Sequence, residues 1–101
     1  MIAINSIVYM KGTTDDTKVN YNQPYKIIGH LYMENDNYYL TSCNVYRDRH
    51  KDMFPIMAVY NERLMITLEE AKEHYLTNYK YASNEEFKEL FENIDMKRFE
   101  N

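Results

Sequence analysis

Three histidines and one cysteine, His30, His50, His74 and Cys43, are the residues from which this chain could build a catalytic or metal site. Cys43 and His30 fall on the same face of an expected hairpin, diagonal to one another. A thiolate–imidazole pair needs direct contact and a third group to orient the ring. No motif around either residue supplies one, so a half-buried Cys and a strand-edge His is the simpler reading. The four residues also lack the C-x2-C, H-x3-H and H-E-x-x-H spacings that hold zinc. Gly12 and Gly29 stand alone, so no glycine-rich phosphate loop is present. No catalytic residue, metal or cofactor is expected, and an enzyme ranks behind binding functions.

Three groups of residues could bind. Arg47, Arg49, His50 and Lys51 form the one basic cluster, interleaved with Asp48 and Asp52. With Tyr46 beside them, Arg47, Arg49 and Lys51 could contact an anion or phosphate; the competing reading is a self-paired, solvated charge run. Tyr21, Tyr25, Tyr32 and Tyr39, with His30, could gather on one side. Tyrosine offers large contact area at low entropic cost, suited to protein recognition or to base stacking. The same rings could instead close a small core. Glu85, Glu86, Glu89 and Glu92 form one acidic helix face, able to meet a basic protein surface by mimicking phosphate spacing, or simply to face water.

The elements that must position these groups follow from pattern. The 101 residues suit one domain, and 45% hydrophobic content does not indicate disorder. Ile2 to Met10 reads as a first strand, bent near Asn5-Ser6. Lys11 to Pro24 reads as a long polar loop. Tyr25–Met33 and Tyr38–Cys43 form a hairpin around Glu34-Asn35-Asp36-Asn37. A two-residue turn at Asn35-Asp36 would set Met33 opposite Tyr38, Leu31 opposite Leu40 and His30 opposite Thr41. Ile27, Gly29, Leu31, Met33, Tyr38 and Leu40 would then face the core. Phe54–Tyr60 and Arg63–Ile66 read as two further strands, and Pro55 marks the first as an edge or strand entry.

Two capping signals open the last third. Thr67-Leu68-Glu69-Glu70 precedes a stripe of Leu68, Ala71, Tyr75, Leu76 and Tyr79. Ser83-Asn84-Glu85-Glu86 precedes Phe87, Leu90, Phe91 and Ile94, spaced i, i+3, i+4, i+7. The charge divides at the same boundary. Residues 1–66 carry seven basic and seven acidic residues, and residues 67–101 carry five against nine, which accounts for the whole formal net charge of −4. The chain thus reads as a single domain, 1–101, with a strand-built body over 1–66 and an acidic helical appendage over 67–101.

Composition narrows the function class. A lone Cys43 excludes an internal disulfide and favours a reducing compartment. Met1 to Asn5 lacks the positive start of a signal peptide, and no apolar run approaches the length that spans a bilayer. A cytoplasmic protein with no membrane contact is expected. A pI near 5.3 argues against general duplex-DNA binding.

The first strand Ile7-Val8-Tyr9-Met10, a long loop, then Lys26-Ile27-Ile28-Gly29-His30-Leu31 with a tight hairpin into Tyr38-Tyr39-Leu40-Thr41 resembles an SH3-like small barrel. Val59-Tyr60-Asn61-Glu62-Arg63-Leu64 resembles the short turn and final strand of such barrels. The resemblance covers about two-thirds of the chain, though loop glycines common in these barrels are mostly missing. It implies an α+β protein, an antiparallel SH3-like β-barrel followed by two short C-terminal helices. It also implies binding of peptides, proteins or nucleic acids rather than catalysis. The short, acidic, Tyr/Asn/Met-rich style resembles small phage-encoded proteins that inhibit host machinery.

The expected function is a non-enzymatic protein-binding module, in its sharper form an inhibitor of a nucleic-acid-handling enzyme. Its partner would be a protein with a basic surface. The alternative is a nucleotide- or nucleic-acid-binding small barrel using tyrosines and the Arg47–Lys51 loop. A homodimer through Phe87, Leu90, Phe91 and Ile94 is a further expectation.

Overall fold

The computed structural model describes residues 1–12, 18–46, 53–79, 83–94 and 96–99. Five strands, β1 (Ile7–Lys11), β2 (Val19–Met33), β3 (Asp36–Tyr46), β4 (Met53–Asn61) and β5 (Met65–Thr67), form one antiparallel sheet in the order β4-β3-β2-β1-β5. Helix α1 (Leu68–Asn78) follows directly, and a short helix α2 (Asn84–Phe87) runs into a π-turn, Lys88–Glu92. A 3-10 turn, Glu62–Leu64, separates β4 from β5, and another, Met96–Phe99, lies near the end of the chain. The protein is therefore α+β. Its sheet is open at β4 and β5 rather than closed into a barrel, since those strands have no ladder between them among the described residues.

The second strand is much longer than its sequence suggests. Val19 to Pro24, expected as loop, pairs with β1 through Val19 opposite Lys11 and Asn20 opposite Met10. Asn and Gln hide the alternation: Val19, Tyr21 and Gln23 turn inward while Asn20 and Asn22 face water. The two ends of β2 then serve different neighbours. Its first half pairs with β1, its second half with β3. Residues before Ile7 do not extend β1; Asn5 takes a positive φ of 73°, and the Ile27 carbonyl accepts from its amide.

The hairpin turns one residue earlier than expected. Glu34 and Asn35 have φ of 51° and 62°, the signature of a primed two-residue turn. Asp36 is left free to open β3, where it accepts from the Asn37 amide and the Asn61 side chain and pairs with Arg63 at 3.2 Å. Moving the turn slides the register by two: Met33 faces Asp36, Leu31 faces Tyr38, His30 faces Tyr39 and Gly29 faces Leu40. A bulge between Ile27 and Gly29 then sets Ile27 opposite Thr41. The bulge turns Ile27 to the face of Tyr39, Thr41 and Cys43, all fully buried.

The expected core face is thus the wrong one. Leu31 and Leu40 are not buried neighbours; Leu31 and Met33 are exposed and Leu40 is half-buried. The curled sheet instead closes on Val8, Ile27, Tyr39 and Met65, with Ile2, Met10, Tyr25 and Tyr60 packed around them. A second core lies behind β1 and β5, where Tyr9, Ile66, Ala71, Tyr75 and Phe91 meet. Successive residues of β1 and β5 point to opposite cores, Val8 and Met65 to the first, Tyr9 and Ile66 to the second.

Both helices are capped at the expected residues, but only the first forms its full capping box; at the second the Glu86 carboxylate accepts from the Tyr75 hydroxyl instead. The Thr67 hydroxyl accepts from the Glu70 amide at 3.2 Å and the Glu70 carboxylate accepts from the Thr67 amide at 3.3 Å, a complete capping box. The Ser83 hydroxyl accepts from the Glu86 amide at 3.2 Å. The second helix is shorter than its stripe implies, because the amide of Asn93 bonds the Lys88 carbonyl five residues back. This widened turn seats Phe91 in the core, with Phe87 and Leu90 half-buried beside it. The stripe offered for a homodimer is therefore occupied largely within its own chain.

Candidate functional site

Cys43 and His30 do not meet. His30 stands opposite Tyr39, and Cys43 lies four residues further along β3, on the order of 13 Å away at strand rise. The His30 Nε2 is 2.8 Å from Asn37 Oδ1, and its ring lies 5.0 Å from that of Tyr39. Cys43 is buried and its Sγ accepts from Gln23 Nε2 at 2.7 Å. Burial pushes the thiol's pKa up, with Arg98 and the Gln23 bond acting in the other direction. Burial thus disfavours the thiolate, the reactive form of cysteine.

The five residues of the proposed aromatic face part into separate places. Tyr21 joins an aromatic cluster behind the sheet, 5.4 Å from Tyr75, 5.8 Å from Phe91 and 6.3 Å from Tyr79 between ring centres. Tyr25 packs edge-on against Tyr60 at 5.7 Å. Tyr39 is core. Tyr32, 66% exposed, stands out into solvent, and His30 is exposed beside it. Desolvation raises the Tyr9 and Tyr25 hydroxyls to about 12. It also raises Tyr75, helped by the neighbouring Glu86 carboxylate, which accepts from the Tyr75 hydroxyl at 3.4 Å. These rings build the core more than they present a surface.

Glu85, Glu86, Glu89 and Glu92 are all exposed, as an acidic helical face requires. Glu89 also borders a half-open cavity of about 260 Å³ with Tyr21, Asn22, Leu90, Asn93 and Arg98. The Arg98 Nη1 donates to the Asn22 carbonyl at 3.2 Å, while its Nε is shut away from solvent with no acceptor among the described residues. The opening lies between the π-turn and β2. The anion-contact residues Arg47, Arg49 and Lys51 lie outside the described residues. Among the described residues no cluster of His, Cys, Asp or Glu could hold a metal.

One surface stands out, and its apolar β2 and β3 residues are those expected in the core. The ladders place Leu31 beside Tyr38, Gly29 beside Leu40, Leu40 beside Val59, and Ser42 beside Met57, all on the outward face of β2, β3 and β4. Leu31 is 42% exposed, Met33 45%, Met57 60% and Val59 45%, and Tyr38 and Leu40 are half-buried between them. The patch is contiguous across three strands. Isolated exposed apolar residues need no explanation, but a contiguous group on one sheet face marks an interaction surface. Asn61 and Asp36 close one end, where Arg63 bridges Asp36. Asp36 is held below the usual carboxylate range by the Asn61 side chain, the Asn37 amide and Arg63.

A signal for this outcome was present in the sequence. Ser42 and Asn44 continue the face of Tyr38 and Leu40 along β3, so that face turns polar where a core face would not. Residues of β4 gave no warning, because Met57 and Val59 alternate with Ile56 and Ala58, and both faces read as apolar.

No protein-family model matches the chain, and no curated protein and no solved structure matches it.

Proposed function

We propose that the chain is a non-enzymatic protein-binding module whose contact surface is the outward face of β2, β3 and β4. The observation that carries this reading is the contiguous set Leu31, Met33, Tyr38, Leu40, Met57 and Val59, left uncovered by both helices. Covering each half-exposed side chain would contribute on the order of 1 kcal/mol. Such a patch gives a binding core, with the charged Asp36–Arg63 pair at its rim. The test is affinity capture from the native host with wild type and with Leu31→Glu. The reading expects a protein retained by wild type and lost by the variant, with circular dichroism unchanged. A protein retained equally by both would overturn it.

A second reading, in which the acidic helix rather than the sheet face makes the contact, is an inhibitor of a nucleic-acid-handling enzyme, of the kind phages encode. It is supported by the exposure of Glu85 and Glu86 on α2 and of Glu89 and Glu92 on the π-turn that continues it, which suits a basic partner surface. The SH3-like assignment of the sheet is also a proposal. It is supported by the division of β2 between β1 and β3, and by the 3-10 turn that falls inside the stretch resembling the short turn before a final strand. We place the protein in the cytoplasm, because Cys43 is a buried free thiol and no helix of the described residues is long and apolar enough to cross a membrane.

A further inference from the structure

The two edges of the sheet are unequal. Strand β5 is three residues long and runs straight into α1. Strand β4 is nine residues long, Met-Phe-Pro-Ile-Met-Ala-Val-Tyr-Asn, and among the described residues its ladder runs to β3 alone. An edge strand offers a row of backbone donors and acceptors to any second strand. Folded proteins blunt such edges with charges, prolines, bulges or brevity. Among these devices β4 has only Pro55, near its start, and no charged residue. From Ile56 to Tyr60 the strand itself carries no charge or proline to oppose the arrival of another strand.

We propose that β4 is a self-association edge, at which two copies of this chain pair antiparallel across a two-fold axis at Ala58. An axis perpendicular to the sheet keeps the faces of the two copies in register. Ala58 then meets its own counterpart, Met57 meets Val59 and Ile56 meets Tyr60. Every pair is apolar and the smallest residue sits on the axis. Outside this stretch Pro55 would meet Asn61, which ends the ladder. The charge distribution favours the same edge. The acidic helix α1 packs at the other side of the sheet, against β1 and β5, and the part of the last third that lies against β3, Met96–Phe99, carries Lys97 and Arg98, so the excess negative charge of one copy is kept away from that of its partner. The dimer also extends the outward apolar face, since Met57 and Val59 of each copy belong to it. This inference goes beyond the binding role proposed above and does not require it.

The experiment is sedimentation velocity of the full chain over a hundredfold concentration range, with circular dichroism to verify folding. Wild type should shift from monomer to dimer. Met57→Lys/Val59→Lys sets like charges against each other across the axis and should remain monomeric throughout. Met57→Lys/Val59→Glu sets unlike charges opposite and should restore the dimer. Leu31→Glu lies two strands from the edge and should dimerise as wild type does, although it removes the outward face as a docking surface for another protein. A wild type that stays monomeric at the highest concentration overturns the proposal. So does a dimer that survives the double lysine variant, or one that Leu31→Glu dissolves. Loss of partner capture by Leu31→Glu with the dimer intact leaves the two readings distinct.

Discussion

The Tyr39 hydroxyl accepts a 2.9 Å hydrogen bond from the Ile2 amide, 37 residues away in sequence, and the Tyr39 ring is fully buried. This bond pins the first residues of the chain over the curled part of the sheet, above Ile27, Val8 and Met65. It also removes Tyr39 from any recognition role, because its polar end is used within the fold.

Tyr39→Phe should cost about 1–2 kcal/mol, since it leaves the Ile2 amide without its partner at a partly buried position. Tyr39→Ala should cost about 3–5 kcal/mol, as a large buried truncation. Urea midpoints at constant m-value check both. A Tyr39→Ala variant as stable as wild type would show that the first core is misplaced.

Ile27→Ala and Leu31→Ala should differ sharply although only four residues separate them. Ile27 is buried opposite Thr41, so its truncation should cost about 2–5 kcal/mol. Leu31 is exposed, so its truncation should stay near or below about 1 kcal/mol. Paired denaturation curves decide the matter, and equal losses would argue against the bulge between Ile27 and Gly29.

That pair shows how far the sequence could be read. Alternation located the hairpin and its strands, because a period of two survives whichever face is buried. It could not decide the face, since the choice rests on one turn residue and one bulge. Glu34 gives no hint of positive φ, and Ile28 looks like any other strand residue. The helix starts were legible because capping depends on Thr67, Glu70 and Ser83, all local. Strand β2 was half hidden because Asn20 and Asn22 are turn formers by type, and only pairing with β1 makes them strand. Of the candidate site residues, the four glutamates were placed on the surface correctly. The tyrosines were dispersed because a small core recruited them, Tyr39 fully and Tyr21 and Tyr25 in part.

Phe91→Ala should loosen the helical third without disturbing the hairpin. Phe91 contacts Tyr9, Tyr21, Tyr75 and Phe87 at ring-centre distances of 5.1–5.8 Å. Its truncation should cost about 3–5 kcal/mol. Amide exchange should accelerate first in α1 and α2, while β3 stays protected. Uniform acceleration across the sheet would show that the two cores unfold as one unit.

Alkaline pH should destabilise the fold. The Tyr9 and Tyr25 hydroxyls lie at about 12 in the folded chain against an ordinary 10.0. Below pH 10 both states hold these protons, and the stability is complete. Between roughly pH 10 and 12 the unfolded chain releases protons that the folded chain retains, so stability falls as pH rises. For the fully buried Tyr9 the loss should be on the order of 2 kcal/mol. Absorbance titration of tyrosinate alongside circular dichroism checks this. Tyr9 and Tyr25 should be among the tyrosines that ionise only as structure is lost, and full ionisation of a folded protein at pH 11 would contradict it.

The most direct test of the binding role compares one partner's affinity for three variants at two salt concentrations. The outward-face reading expects Leu31→Glu to weaken binding at least tenfold. Reversal of Glu85, Glu86, Glu89 and Glu92 to Lys, and Tyr32→Ala, should be nearly silent, and binding should depend little on salt because apolar burial is not screened. The contradictory result is equally plain. Unchanged affinity for Leu31→Glu, together with a large, salt-dependent loss on glutamate reversal, would move the contact surface from the sheet to the acidic helix.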